Sequence, residues 1–430
     1  MNHNFKRFFF RSGKINSICN GFTEESTKQS SPNFTELTKL TRNTGFGFMI
    51  ISFGVILAAS SGSWDITNHL LNRPETFFSP PHAGLYAGVA LVVFALIRIL
   101  RYYRRSSYMA QKWHSSLDTD NMVRISKRDP LSIPVKVVCL GVLLLVVAGP
   151  FDFAWHSAYG LDGLLSPSHL VLTMGLILSS VGALLGVLST RPKTEDHQKQ
   201  GKAPVALSPH KHNFPFFNFL NIKSTIVVTL AMLPVWITLV GLTHMLSLPF
   251  SNTEYFKFNP DPTLGAILAT TALPFLGAFL ISSSFQFTRK FGIVSLTGGS
   301  FIFINLATSI LPNEYTIPTI PFYVLNLVPF LVVDIILSKL FLLNDKTIIY
   351  GISGAIVGAT FLMLYFPLIT YTYNEVMPNA SAVWPSLITL KYFEMNTQLY
   401  PIVALPSMIT GFLGALFGSG WKNNQILGES

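Results

Sequence analysis

Apolar runs long enough to cross a lipid bilayer recur along this chain, and they constrain its fold more than any other feature. They lie at about 44–63, 82–101, 134–151, 168–190, 224–248, 263–286, 291–311, 317–341, 347–371 and 399–421. Inside lipid no water is present to bond the backbone, so a crossing segment is a helix or part of a closed barrel. Runs of about twenty residues fit helices, since a membrane strand needs only about 9–11. The expectation is an all-α polytopic transmembrane bundle of about ten helices. Of 430 residues only 12% are charged, against a usual share of about 25%. Pro and Gly inside several runs do not count against them, because membrane helices tolerate both.

Charge placement orients the bundle. With the N-terminus inside, the basic segments 101–129 and 191–212, Arg289-Lys290 and the segment 344–346 all fall on the cytoplasmic side. The opposite connections hold few Lys or Arg. The reading is a multi-pass protein of the cell membrane with both termini cytoplasmic. Its net charge of +10 is then loop charge facing lipid headgroups, and no nucleic-acid partner is expected. Residues 1–43 read as a polar cytoplasmic tail. "FKRFFFRSGK" is basic, but its apolar run is too short for a cleavable signal. The expected organisation is a hairpin at 44–103, a second at 134–190, a cytoplasmic linker at 191–223 and a six-helix block at 224–421.

The two hairpins are related in sequence. A shift of 87 positions carries Asp65 onto Asp152, His69 onto His156, Glu75 onto Asp162 and His82 onto His169. It also carries Gly62 onto Gly149, Ser79-Pro80 onto Ser166-Pro167 and Gly88 onto Gly175. Both copies read D-x3-H-x12-H. A fixed offset with this many matches marks a tandem internal repeat.

The spacing has chemical content. An Asp and a His four residues apart share one face of a helix. Ser-Pro then opens the next helix, with Ser as cap and Pro in the first turn. The second His falls in that turn, beside the end of the preceding helix. Each hairpin can thus gather two imidazoles and a carboxylate, a set suited to Cu, Zn, Fe(II) or Mn. Three protein ligands leave a further position for water or substrate. Trp155, Asp162 and Glu75 are candidates to orient the ligands from behind. The only cysteines, Cys19 and Cys139, form no CxxC and no disulfide framework. The plainer reading of the same residues is a set of polar side chains at the membrane interface, where they cost little.

"FDFAWHSAYGLDGLLSPSHLVL" resembles the metal-site segment of the copper membrane monooxygenases, the particulate methane and ammonia monooxygenases, in one of their membrane subunits. That family has an Asp, a Trp-His four residues later, an acid beyond and a Thr/Ser-Pro-Ser-His turn. The resemblance implies copper held by Asp152, His156 and His169, with Asp65, His69 and His82 as a second set. It covers roughly 40–60 residues around each hairpin. It also implies partner membrane subunits, or a homo-oligomer. The chain departs from the family in carrying two such motifs and an added six-helix block. In the first copy Asn68 stands for the Trp and Pro81 for the Ser.

Other candidates are weaker. His244-Met245 offers a soft copper contact. Asp334, with Lys339 after it, is an acid within an apolar run. The segment 210–212 holds two His in a cytoplasmic loop, and 374–401 is a long aromatic-rich outer connection. No P-loop, GxSxG, HExxH or dinucleotide fingerprint occurs. Three functions are open: a copper protein that oxidises a small substrate or holds copper for a partner, a transporter of a small solute or metal, and a metal-free structural or assembly protein. Transporters often carry repeats, but inverted ones place their sites near the midplane. Here the repeat is parallel, and both motifs face the outer side.

Overall fold

The computed structural model describes residues 32–70, 78–116, 131–159, 165–190, 220–247, 262–311, 314–340, 346–371 and 400–420, with side chains for most of them. Among these residues the secondary structure is helical, with no strand. The first hairpin is α1 (Pro32–Leu70) and α2 (Pro80–Ser116). The second is α3 (Ile133–Tyr159) and α4 (Pro167–Ser189). Then come α5 (Leu220–Ser247), α6 (Pro262–Thr288), α7 (Ile293–Ile310), a 3-10 turn (Glu314–Thr319), α8 (Ile320–Leu325), α9 (Leu327–Leu340), α10 (Lys346–Tyr371) and α11 (Tyr400–Ser419).

Each expected span falls on helix. Six helices are long and apolar enough to cross a membrane: Arg42–Asn68, Pro80–Arg105, Ile133–Tyr159, Pro167–Ser189, Ile226–Leu246 and Ile267–Thr288. Four further apolar helices are shorter over the described residues. The expected span 317–341 is broken into three pieces. Proline is the cause. Pro318 lies in the 3-10 turn, and Pro329 has no N–H to offer the carbonyl of Leu325, where α8 stops. Single prolines are absorbed elsewhere, as Pro150 is in α3 and Pro234 in α5.

Lipid exposure is legible in α3. Val135, Val138, Val142, Leu145 and Ala148 face inward at helical spacing. Leu140, Leu143, Val146 and Val147 are equally apolar and point outward. A helix apolar all round is what a membrane solvent demands. Phe53, Phe94, Phe303 and Phe417 are likewise turned outward. This is the surface of a multi-pass membrane protein.

The two hairpins close in the same way. A Cβ added at Gly54 would stand 2.9 Å from the Gly88 carbonyl oxygen, and one at Gly141 2.9 Å from that of Gly175. These two pairs are related by the same 87-residue shift. Small residues let the backbones approach, which is how membrane helices gain packing without a hydrophobic drive. Helix α1 packs on α4, α2 touches α3, and α5 lies against both α1 and α4. Beyond α5, helices α6, α10 and α11 interlock through glycine: Gly414 and Gly418 of α11 meet the Phe275 and Phe279 carbonyls, and Gly354 meets Gly411. One buried apolar cluster runs from Phe48 in α1 to Ala415 in α11.

Candidate metal centre

Asp152 and His156 occupy the last two turns of α3, one above the other. His169 lies in the first turn of α4. Ser166 caps that helix, its hydroxyl accepting from the His169 backbone N–H at 3.2 Å, with Pro167 next. The cap sets where α4 begins and so brings His169 back beside the end of α3. One ligand atom from each of Asp152, His156 and His169 lies within 4.8 Å of the others. All three side chains are partly exposed.

The distances discriminate. Nε2 of His156 and Nε2 of His169 each stand 3.4 Å from Oδ1 of Asp152. A charge-assisted N–H···O bond is shorter, at about 2.7–2.9 Å. Two ligand atoms about 2.05 Å from a tetrahedral ion, by contrast, stand about 3.3–3.4 Å apart. The ring centroids of the two histidines are 5.6 Å apart. The two carboxylate–imidazole edges thus suit a coordination site, and the three ligand atoms lie within 4.8 Å of one another. A helix end supports this use of the residues. The C-terminus of α3 carries partial negative charge, which favours a cation.

The carboxylate is held by a residue that the spacing argument did not single out. Ser168, fully buried, donates to Oδ1 of Asp152 at 2.7 Å, and its Oγ lies 3.1 Å from that of Ser166. The signal was present in "SPSH", whose third residue points from the first turn of α4 toward the end of α3. Of the residues expected to orient the ligands, Trp155 lies in an aromatic ladder along α3. It sits 4.6 Å from Tyr159 and 6.2 Å from Phe151, centroid to centroid. Asp162 and Glu75 lie outside the described residues. Nδ1 of His169 is buried and has no hydrogen-bond partner among the described residues, an orphaned polar atom at the site.

In the first hairpin, Nε2 of His82 is 2.9 Å from Oδ1 of Asp65. The side chain of His69, on α1, lies outside the described residues. Tyr86, one turn beyond His82, stacks with its ring at 6.2 Å and is within electrostatic reach of both Asp65 and Asp152. The two motifs thus lie near one another across α2 and α3.

The remaining candidates find plainer roles. Asp334 is fully buried and accepts from the backbone N–H (3.1 Å) and hydroxyl (2.7 Å) of Ser295. Ser295 is in the first turn of α7, whose N-cap Gly292 has no side chain to give. Asp334 therefore caps α7 from α9, a structural task. Met245 is buried, and its sulfur accepts from Thr173 at 3.1 Å, one turn along α4 from His169. His244 lies in the last turn of α5. The side chain of Lys339, the segment 210–212 and most of the connection 374–401 lie outside the described residues. Comparison with family models, curated proteins and solved structures finds no match to this chain.

Proposed function

We propose that this multi-pass membrane protein binds a transition-metal ion, copper, at Asp152, His156 and His169. In this it is akin to the metal-site membrane subunit of the copper membrane monooxygenases. The observation that carries the reading is the convergence of one carboxylate and two imidazoles, with one ligand atom from each within 4.8 Å of the others. Two imidazoles and one carboxylate suit Cu(II), Zn or Fe(II), and Cu(II) leads the affinity order among them. Copper, when bound, supplies a redox-active centre with a position left for a small molecule. His156 and His169 would hold it through ring nitrogens, and Asp152 would balance its charge. The protein then oxidises a small substrate or keeps copper for a partner subunit.

Asp65, His69 and His82 form a second, weaker set, since Pro81 stands where Ser168 holds the carboxylate of the second hairpin. Orientation by the positive-inside rule puts both sets toward the outer face. The test is metal analysis of the purified chain after incubation with copper and removal of loose ions. One to two copper ions per chain is the expected result, falling by one in His156→Ala. A chain that takes up no copper and no zinc ends the proposal and leaves a structural membrane protein. Solute uptake into proteoliposomes with no retained metal would instead favour a transporter.

A further inference from the structure

We infer that Ser168 is the positioning residue that holds the Asp152 carboxylate for an ion, a role that Pro81, at the equivalent place in the first hairpin, has no hydroxyl to take. This rests on the metal-binding reading above and adds the residue that orients its carboxylate ligand.

The hydrogen-bond chain has one consistent direction. Ser168 has a single hydroxyl proton and gives it to Oδ1 of Asp152 at 2.7 Å. Its contact with Ser166 at 3.1 Å must then be a bond it accepts, so Ser166 donates. Ser166 in turn accepts from the His169 backbone N–H at 3.2 Å. Each hydroxyl thus gives once and receives once, and such a chain strengthens each of its members. Both serines are fully buried, so water does not compete for them. The helix cap fixes Ser166, Ser166 fixes Ser168, and Ser168 fixes the carboxylate. Held from a third side, Oδ1 stands 3.4 Å from both imidazoles instead of collapsing onto one. A hydrogen-bonded carboxylate oxygen keeps a second lone pair for a metal, and ligating carboxylates are commonly held in this way.

The first hairpin supplies the comparison. Its equivalent of Ser166 is Ser79, and its equivalent of Ser168 is Pro81, which has no hydroxyl. The chain is broken at that point. The Ser79 hydroxyl oxygen is buried and has no hydrogen-bond partner among the described residues. Asp65 lies 2.9 Å from His82. At this position of the repeat the second hairpin has a hydroxyl on its carboxylate and the first has none to offer.

The experiment titrates the purified full-length protein with Cu(II), reading affinity, copper per chain, the Cu(II) EPR spectrum and the melting temperature without metal. In Ser168→Ala the tight copper is expected to bind roughly 10–100-fold more weakly. Its EPR hyperfine splitting should change because the carboxylate turns toward an imidazole. The metal-free melting temperature should fall by a few degrees, since the buried Ser166 hydroxyl loses its acceptor. Pro81→Ser gives the first hairpin its hydroxyl, in a first turn that tolerates the change, and is expected to tighten the weaker copper by a similar factor. Equal affinity and an unchanged spectrum in Ser168→Ala would overturn the inference while leaving the metal-binding reading intact. So would a Pro81→Ser protein with unchanged affinities, which is informative even if Ser168→Ala does not fold. A wild-type chain without copper overturns both.

Discussion

At the scale of single residues, the ligand histidine and the buried aspartate behave oppositely on substitution. His156 is partly exposed at a helix end, so His156→Ala leaves little cavity. It should abolish tight copper binding and shift the metal-free melting temperature by only a few degrees, read by metal analysis and a thermal scan. Asp334→Ala should do the reverse. It removes the cap of α7 and leaves the Ser295 N–H and hydroxyl without their acceptor in a buried place, a loss of about 1–3 kcal/mol. Copper content should be unchanged. The meeting of Asp152, His156 and His169 was legible in the sequence because i,i+4 spacing and a Ser-Pro helix start are local rules. The Asp334 cap was not, because its partner lies 39 residues away and is chosen by how α7 and α9 pack. Ser168 was hidden for a related reason. A serine in a first turn usually serves its own helix, and only the approach of α3 gives it a carboxylate.

At the scale of elements, the hairpins are set by backbone proximity. Gly141 and Gly149 lie on the same helix and differ in surroundings: a side chain at Gly141 meets α4, whereas nothing lies within 4 Å of one at Gly149. Gly141→Leu should therefore destabilise by about 1–3 kcal/mol or more through overpacking. Gly149→Ala should be neutral or stabilising by about 0.5–1 kcal/mol, since glycine is costly inside a helix. Thermal scans of the two variants check this contrast, and the reverse order would mean that α3 and α4 cross elsewhere. Helix existence was legible throughout, because hydropathy over some twenty residues is a strong signal. The break within 317–341 was only half visible: the prolines could be read, but membrane helices so often absorb one that three in twelve residues were read as a single span. The Gly54–Gly141 match follows the repeat offset, yet a glycine pair among 30 glycines does not declare that it marks a crossing point.

At the scale of the whole molecule, bound metal should stabilise the fold by mass action, by about 2.7 kcal/mol at a free concentration one hundred times the dissociation constant. Melting of wild-type protein with copper and after chelation should show that gain, and His156→Ala should lose it. The glycine crossings also bear on how the protein is made. The Gly141–Gly175 contact and the Asp152–His169 approach both lie within one hairpin, separated by a short stretch of chain. Contacts this local form early, and domains emerge in order from the N-terminus during synthesis. The second hairpin can therefore close, and its ligands can meet, while α6 to α11 are still unmade. A nascent chain halted after residue 247 already contains both hairpins and α5, the helix packed against α1 and α4. Metal loading during biogenesis would then precede completion of the protein, and the later helices would assemble around an occupied centre.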